Sequence, residues 1–232
     1  ACASGSVAIL VRQGVLSVEA VTSAFSWVYL IVVIAFFTWL FMAGQWTKEE
    51  RKRLIVIVVL FAGAAVFWSA FEQAASTLNL FAAQNTRNSI FGWTFPSSWF
   101  QSVNALMIII FAPVFAWIWI SLGKRDPSSP AKFAFGLVSV GLGFVVMVGA
   151  AQASANGVLV SPMWLVLTYL LHTIGELSLS PVGLSSMTKL APDRVKGMMM
   201  GVWFLAASVG NLIAGGVLRF YADFTLPQVF GA

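Results

Sequence analysis

Two glutamates lie inside long apolar runs of this 232-residue chain, where a charge is costly to keep. Glu72 stands in FWSAFEQAASTLNLFA, and Glu176 stands in HTIGELSLSPVGLSSMTKLAP, which follows the apolar run SPMWLVLTYLL. A carboxylate in such surroundings exchanges a proton, binds a cationic group, or is tied to a neighbouring helix for structure alone. The first two uses are chemistry, so these residues are the first candidates for function.

Glu176 belongs to a polar stripe. His172, Glu176 and Ser180 are spaced i, i+4 and i+8, so a helix would present them on one face. Pro181 should bend that helix just beyond the carboxylate. A polar stripe beside a bend suits a helix that lines an aqueous cavity, although a purely structural buried glutamate stays open as an alternative. His172 by itself fits a hydrogen-bonded structural residue as well as a proton relay.

Two other runs carry polar pairs at helical spacing. Ser76 follows Glu72 at i+4, and Gln101 and Asn104 are three residues apart and share a face. These residues are candidates for supporting polar positions around the two carboxylates.

Large aromatic and small residues characterise the last long apolar run. Trp203 and Phe204 lie in its middle, and Trp203 fits core packing as well as the wall of a binding pocket. The glycines of this region predict close helix packing. They are Gly197, Gly201, Gly210, Gly215 and Gly216.

The chain lacks the usual signatures of enzyme chemistry. Cys2 is its single cysteine, and no second histidine or cysteine cluster offers a metal site. No Ser–His–Asp arrangement is placed for hydrolysis, and no phosphate-binding glycine loop follows a strand. We therefore expect no enzyme activity, no metal and no cofactor beyond a coupling ion.

The elements that must position these residues are membrane helices. Hydrophobic residues make up 59% of the chain and charged residues 9%, against about a quarter charged in soluble domains. Six apolar runs reach the roughly 20 residues that span a bilayer. They are Ala24 to Ala43, Leu54 to Ala83, Trp99 to Leu122, Phe133 to Ala153, Met163 to Leu190 and Met198 to Tyr221. The predicted fold is an all-α, multi-pass transmembrane bundle of about five core spans and one peripheral helix.

Basic residues orient this bundle. The net charge is +5, and ten of the thirteen lysines and arginines fall in the loops at 47–53, 123–132 and 189–197. The intervening loops hold only Arg87. The alternation follows the positive-inside rule, so the three basic loops are expected to be cytoplasmic. The positive surplus therefore indicates membrane topology rather than nucleic-acid binding.

Four strings resemble the proton-dependent oligopeptide transporters of the major facilitator superfamily. FWSAFEQAASTLNLFA, QSVNALMIIIFAPVFAWIW and HTIGELSLSPVGLSSMTKLAP are similar to the seventh, eighth and tenth helices of that family. KGMMMGVWFLAASVGNLIAG is similar to the eleventh, and residues 22–45 resemble the second of two extra helices of bacterial members. The chain departs from the common pattern at Ala105, where many members have proline, and at Ala74-Ala75, where a glycine is common.

The resemblance implies a domain organisation. Residues 1–52 would form a peripheral helix and a basic loop, and residues 53–232 would form the C-terminal half-bundle, helices seven to eleven without the last. The chain would thus be a fragment whose partner is the N-terminal half-bundle in the inner (cytoplasmic) membrane.

The resemblance also implies roles for the polar residues. Glu176 would face a lysine of the other half and contact the amino terminus of a di- or tripeptide, which Asn104 would bind as well. Glu72 and Glu176 would couple proton movement, and Trp203 and Phe204 would line a side-chain pocket. Ser180 is grouped with the substrate-binding residues, and the supporting polar face comprises His172, Ser76 and Gln101.

The expected function is proton-coupled symport of di- and tripeptides by alternating access. One alternative is a transporter of the same fold for another small solute, such as nitrate or an amino acid derivative. A non-transporting membrane scaffold or an intramembrane enzyme is a further alternative, but the catalytic set that an enzyme needs is missing from the sequence.

Overall fold

The computed structural model describes residues 17–42, 44–90, 92–217 and 224–231. Residues 1–16 of the predicted peripheral segment, Ala43, and the predicted end of the last span at Tyr221 lie outside these ranges. The chain divides into two compact units, with the boundary between Arg51 and Lys52.

Helices account for most of the described chain. The long ones are α1 (Val18–Met42), α2 (Lys48–Phe71), α4 (Trp99–Leu122), α5 (Ser129–Ala153), α6 (Met163–Leu190) and α7 (Met199–Val217). The short ones are α3 (Thr77–Asn85) and α8 (Leu226–Gly231). Within the described ranges, six helical segments are long and apolar enough to cross a membrane, which confirms the predicted all-α, multi-pass bundle.

The first unit contains α1 and the start of α2. Thr47 and Glu50 cap α2 reciprocally: the Glu50 amide donates to Thr47 Oγ1 at 3.2 Å, and the Thr47 amide donates to Glu50 Oε2 at 2.8 Å. This arrangement is a capping box, which satisfies backbone donors at the helix start.

The second apolar run is interrupted, although the sequence predicted one helix from Leu54 to Ala83. After α2, the residues Glu72–Ala75 form a single 3-10 turn, Ser76 leaves helical geometry with φ −118° and ψ −96°, and α3 continues from Thr77. The break lies inside a 38-residue apolar segment, Lys48–Asn85. A 3-10 stretch within a span marks a place where the backbone is not held by the regular helix ladder.

Short connections close the end of the second unit opposite the basic loops. Between α3 and α4, strands β1 (Ser89–Ile90) and β2 (Trp93–Thr94) pair antiparallel around Gly92, whose φ of +81° favours glycine. This hairpin was not expected from the sequence. The second unit also contains an apolar core of side chains from α3, α4, α5, α6 and α8, including Phe81, Phe100, Met147, Tyr169 and Phe230.

The most extensive helix pair is α5 with α6, and two glycines set its close approach. A methyl group at Gly136 would lie 2.8 Å from the carbonyl oxygen of Gly175 and 2.6 Å from Cβ of Leu179. A methyl group at Gly175 would lie 2.8 Å from the carbonyl oxygen of Gly136. Because only glycine fits on either side, the two backbones touch and fix the position of α6.

The glycines of α7, together with Gly197 just before it, behave differently from the prediction. Only Gly210 packs closely, since a methyl group there would lie 2.8 Å from the Ala65 carbonyl oxygen of α2. The predicted packing at the other four glycines is wrong within the described residues, where added methyl groups would meet nothing within 4 Å. These are Gly197, Gly201, Gly215 and Gly216. Glycine spacing shows that a close approach is possible, but it does not show on which side a neighbour lies.

We predict that Gly136→Ala destabilises the protein by about 1–3 kcal/mol, because the new methyl group meets backbone that cannot move aside. Thermal unfolding in detergent measures the effect. The matched control is Gly141→Ala on the same helix, where nothing lies within 4 Å. Since both variants gain the same helix propensity, equal stabilities for the two would contradict the proposed backbone contact.

Candidate functional site

Glu176 forms a side-chain hydrogen bond to α4 from the interior of α6. Asn104 Nδ2 donates to Glu176 Oε2 at 3.3 Å, joining residues 72 positions apart in the sequence. Both side chains are partly buried. The structure therefore brings together two of the residues for which the family resemblance implies substrate binding.

Glu72 lies within electrostatic reach of Glu176, and their like charges repel. It begins the single 3-10 turn that directly follows α2. No lysine or arginine lies between residues 54 and 86 or between 133 and 188. The two carboxylates thus share a polar region in which these spans supply no cation.

Gln73 holds the break beside Glu72 and was missed by the sequence interpretation. Its side chain is 3% exposed, and its Oε1 accepts from Ser76 Oγ at 3.0 Å and from Thr77 Oγ1 at 2.9 Å. Its Nε2 donates to the carbonyl oxygens of Ser69 at 3.2 Å and Ala214 at 3.4 Å. One amide therefore bridges both sides of the break and α7. The sequence feature that could have identified Gln73 is a glutamine next to a glutamate inside an apolar run.

Ser76 serves that local structure, since its hydroxyl donates to Gln73. Gln101 is exposed on α4, one turn before Asn104. Ser180 is partly buried on α6, and its hydroxyl has no hydrogen-bond partner among the described residues. None of these three forms a hydrogen bond with either carboxylate in the described chain.

His172 occupies an apolar cage. Its side chain is 1% exposed and lies between Phe71 and Phe144, with ring centroids 6.1 Å and 5.3 Å away. The ring packs directly on Gly143 of α5. Neither ring nitrogen has a well-aligned partner among the described residues. His172 therefore packs towards α5, while Glu176 on the next turn bonds to α4.

Trp203 and Phe204 point to different surroundings. Trp203 is 5% exposed, and its ring packs directly on Gly183 of α6. Phe204 is 60% exposed. Of the pair predicted to line a pocket, one ring fills a helix crossing and the other stands free in the described chain.

The candidate site consists of polar side chains inside membrane helices. Within the ranges that the structure describes, no three His, Cys, Asp or Glu side chains are grouped to hold a metal ion. A pair of carboxylates and an amide inside a bundle of this kind is typical of membrane transport proteins, which place ionisable groups near the bilayer midplane.

The sequence matches the POT family over residues 5–231, and the chain belongs to this family. It is 48% identical to the peptide transporter YePEPT of Yersinia enterocolitica subsp. palearctica over 212 residues, which is 89% of this chain and 42% of the relative. It is 41% identical to dipeptide and tripeptide permease A of Chromobacterium violaceum over 184 residues, covering 76% of this chain and 37% of the relative. These relatives are transporters rather than enzymes.

The chain is also similar to solved structures of POT family transporters. A peptide transporter POT in complex with sulfate has a TM-score of 0.90 and 40% identity, with 99% of this chain and 46% of that chain covered. A POT family transporter in complex with 5-aminolevulinic acid has a TM-score of 0.87 and 29% identity, with 99% and 48% covered. The chain thus spans about half the length of the relatives that it matches.

We predict that Gln73→Met lowers the free energy of unfolding by about 1–3 kcal/mol, because methionine fills the space but leaves buried polar groups without partners. The control is Gln101→Met, the same change at an exposed position, and it should leave stability within about 0.5 kcal/mol. Thermal unfolding of the purified protein measures both. A Gln73→Met protein as stable as the control would show that the amide does not hold the break.

Proposed function

We propose that this chain supplies the C-terminal half of a proton-coupled symporter of di- and tripeptides. Residues 53–232 form the half-bundle and residues 1–52 a peripheral helix with its basic loop. The partner is an N-terminal half-bundle in the cytoplasmic (inner) membrane, with the three basic loops on the cytoplasmic side. Transport proceeds by alternating access, in which the two halves rock around a site near the midplane.

The observation that carries this proposal is the hydrogen bond between Asn104 and Glu176, with Glu72 in electrostatic reach. A carboxylate and an amide oxygen both accept from the ammonium group of a peptide amino terminus. Because these spans provide no cation, a lysine of the other half and the substrate amine are suitable counter-charges for Glu176. Protonation of either carboxylate removes a negative charge and so changes which conformation is favoured.

The remaining predicted residues take secondary parts in this proposal. Trp203 and Phe204 line the side-chain pocket, where the exposed ring of Phe204 is free to contact substrate and Trp203 forms the packed wall behind it. Ser180 contributes a hydroxyl to the substrate region. Ser76 and Gln101 support the polar face, His172 supports it indirectly from the side of α6 that packs on α5, and the coupling ion is the proton.

A second candidate is transport of an amino acid derivative by the same site. It is favoured by the structural relative solved with 5-aminolevulinic acid. Uptake of a labelled dipeptide into proteoliposomes with an imposed pH gradient separates the two candidates. The transporter tested contains this chain joined to an N-terminal half-bundle. If the labelled dipeptide accumulates, and an excess of the amino acid derivative does not reduce this accumulation, the peptide assignment is supported.

We predict that Glu176→Gln abolishes proton-driven dipeptide accumulation in that transporter, because glutamine can neither bind a proton nor pair with an ammonium group as a charge. Initial uptake rates at neutral pH measure the loss. Asp193→Asn is the control, since the Asp193 side chain is 98% exposed and should be dispensable. Uphill uptake that survives Glu176→Gln would remove Glu176 from the coupling mechanism.

A further inference from the structure

Thr173 is a fully buried hydroxyl that contacts the proposed substrate-binding amide. It lies on α6 three residues before Glu176 and is 0% exposed. Its Oγ1 is 3.1 Å from Asn104 Oδ1 and 2.8 Å from the carbonyl oxygen of Tyr169. Asn104 therefore lies between two groups of α6, with its amide nitrogen on Glu176 and its oxygen on Thr173.

This contact is one of few that fix α4. Phe100 is the only buried residue of that helix, all of which lies within the described ranges. The side-chain hydrogen bonds from α4 to α6 in the described chain involve Asn104, together with a longer contact of 3.9 Å from Thr173 Oγ1 to Met107 Sδ. Both partners of Thr173 on α4 thus lie on the face that carries the site.

The Thr173 hydroxyl has one hydrogen to donate and two acceptors within reach, Asn104 Oδ1 and the carbonyl oxygen of Tyr169, so it has two donor options. When it donates to Asn104 Oδ1, it leaves the amide nitrogen of Asn104 directed at Glu176. Serine keeps both options. Valine has the same shape and neither option, so the amide would lose its fixed orientation towards Glu176.

We propose that Thr173 is a positioning residue for substrate binding: it orients the Asn104 amide so that this amide and Glu176 converge on the same ligand group. The proposal rests on the proposed function, in which that group is the amino terminus of a peptide. Thr173 acts through Asn104 and does not itself touch the peptide.

If Thr173 only stabilised α6 through its bond to Tyr169, it should behave like any other threonine bonded within that helix. Thr188 of α6 provides this comparison. Thr188 Oγ1 also donates to the carbonyl oxygen four residues earlier, that of Leu184, at 2.9 Å. Unlike Thr173, it forms no hydrogen bond to another helix in the described chain. Thr188→Val therefore removes the bond within α6 without touching the site.

The test compares dipeptide uptake by the wild-type transporter with that by Thr173→Val, Thr173→Ser and Thr188→Val. Loss of one oriented hydrogen bond should raise the KM for dipeptide about tenfold in Thr173→Val while kcat changes by less than about twofold. Thr173→Ser should return the KM to within about threefold of wild type, and Thr188→Val should stay within about twofold. In an Asn104→Ala background, Thr173→Val should have little further effect, because the two residues act as one unit.

Several results would overturn the assignment. They are a KM for Thr173→Val no higher than that of Thr188→Val, a Thr173→Ser variant as impaired as Thr173→Val, or independent effects of the changes at 173 and 104. If Thr173→Val fails to assemble, dipeptide affinities of purified Thr173→Ala and Thr173→Ser decide: equal affinities overturn the proposal, and a deficit confined to Ala supports it. Wild-type transporter without dipeptide uptake would instead overturn the proposed function, and this assignment with it.

Discussion

A carboxylate inside a membrane span needs partners, and the structure is organised around that need at Glu176. Moving an unpaired charge into a medium of low dielectric constant costs several kcal/mol in real proteins. Among the described residues the partial compensation is a single amide, that of Asn104, at 3.3 Å, and Glu72 opposes it with a like charge. The site is thus incomplete in electrostatic terms, and such a site favours binding of a proton or an external cation.

The contact between α5 and α6 fixes the backbone next to Glu176. Gly136 and Gly175 make this contact, and Gly175 directly precedes the carboxylate in the chain. The two backbones leave no room for a methyl group on either glycine. Rigidity on one side of α6 and polar groups on the other are complementary, because a site must be positioned before its charges can discriminate among ligands.

Glu72, unlike Glu176, lies on a segment that departs from regular α-helix. Backbone groups freed at such a break must find other partners within the membrane. The Gln73 amide supplies hydrogen bonds to residues on both sides of the break and to α7. A change in this one network would alter the direction of the chain next to Glu72. The two carboxylates therefore belong to parts of the fold with different constraints.

Much of this arrangement could be predicted from residue patterns, and the limits have physical causes. The bounds of α4 and α6 were predicted because apolar runs and polar loops mark membrane boundaries directly. Glu176 and Asn104 stood out because polar residues are rare in such runs. The break at Glu72 was missed, since it depends on side-chain hydrogen bonds to α7 that no local pattern reveals. Thr173 was missed because a threonine in a helix is usually bonded to its own backbone.

The contacts of α4 explain how this helix can position Asn104 although Phe100 is its only buried residue. Along α4, contact with α6 is concentrated near Phe100, which stacks on Tyr169 with centroids 6.5 Å apart, and at Asn104 one turn later. At the other end of α4, Lys132 of α5 bonds to Asp126 at 2.7 Å and covers the ring of Trp119 at 4.4 Å. Between these two ends, Ile109, Ile110, Val114 and Trp117 are exposed. A helix fixed at both ends and free along its middle can carry Asn104 on a stable register while its open face meets lipid or another bundle.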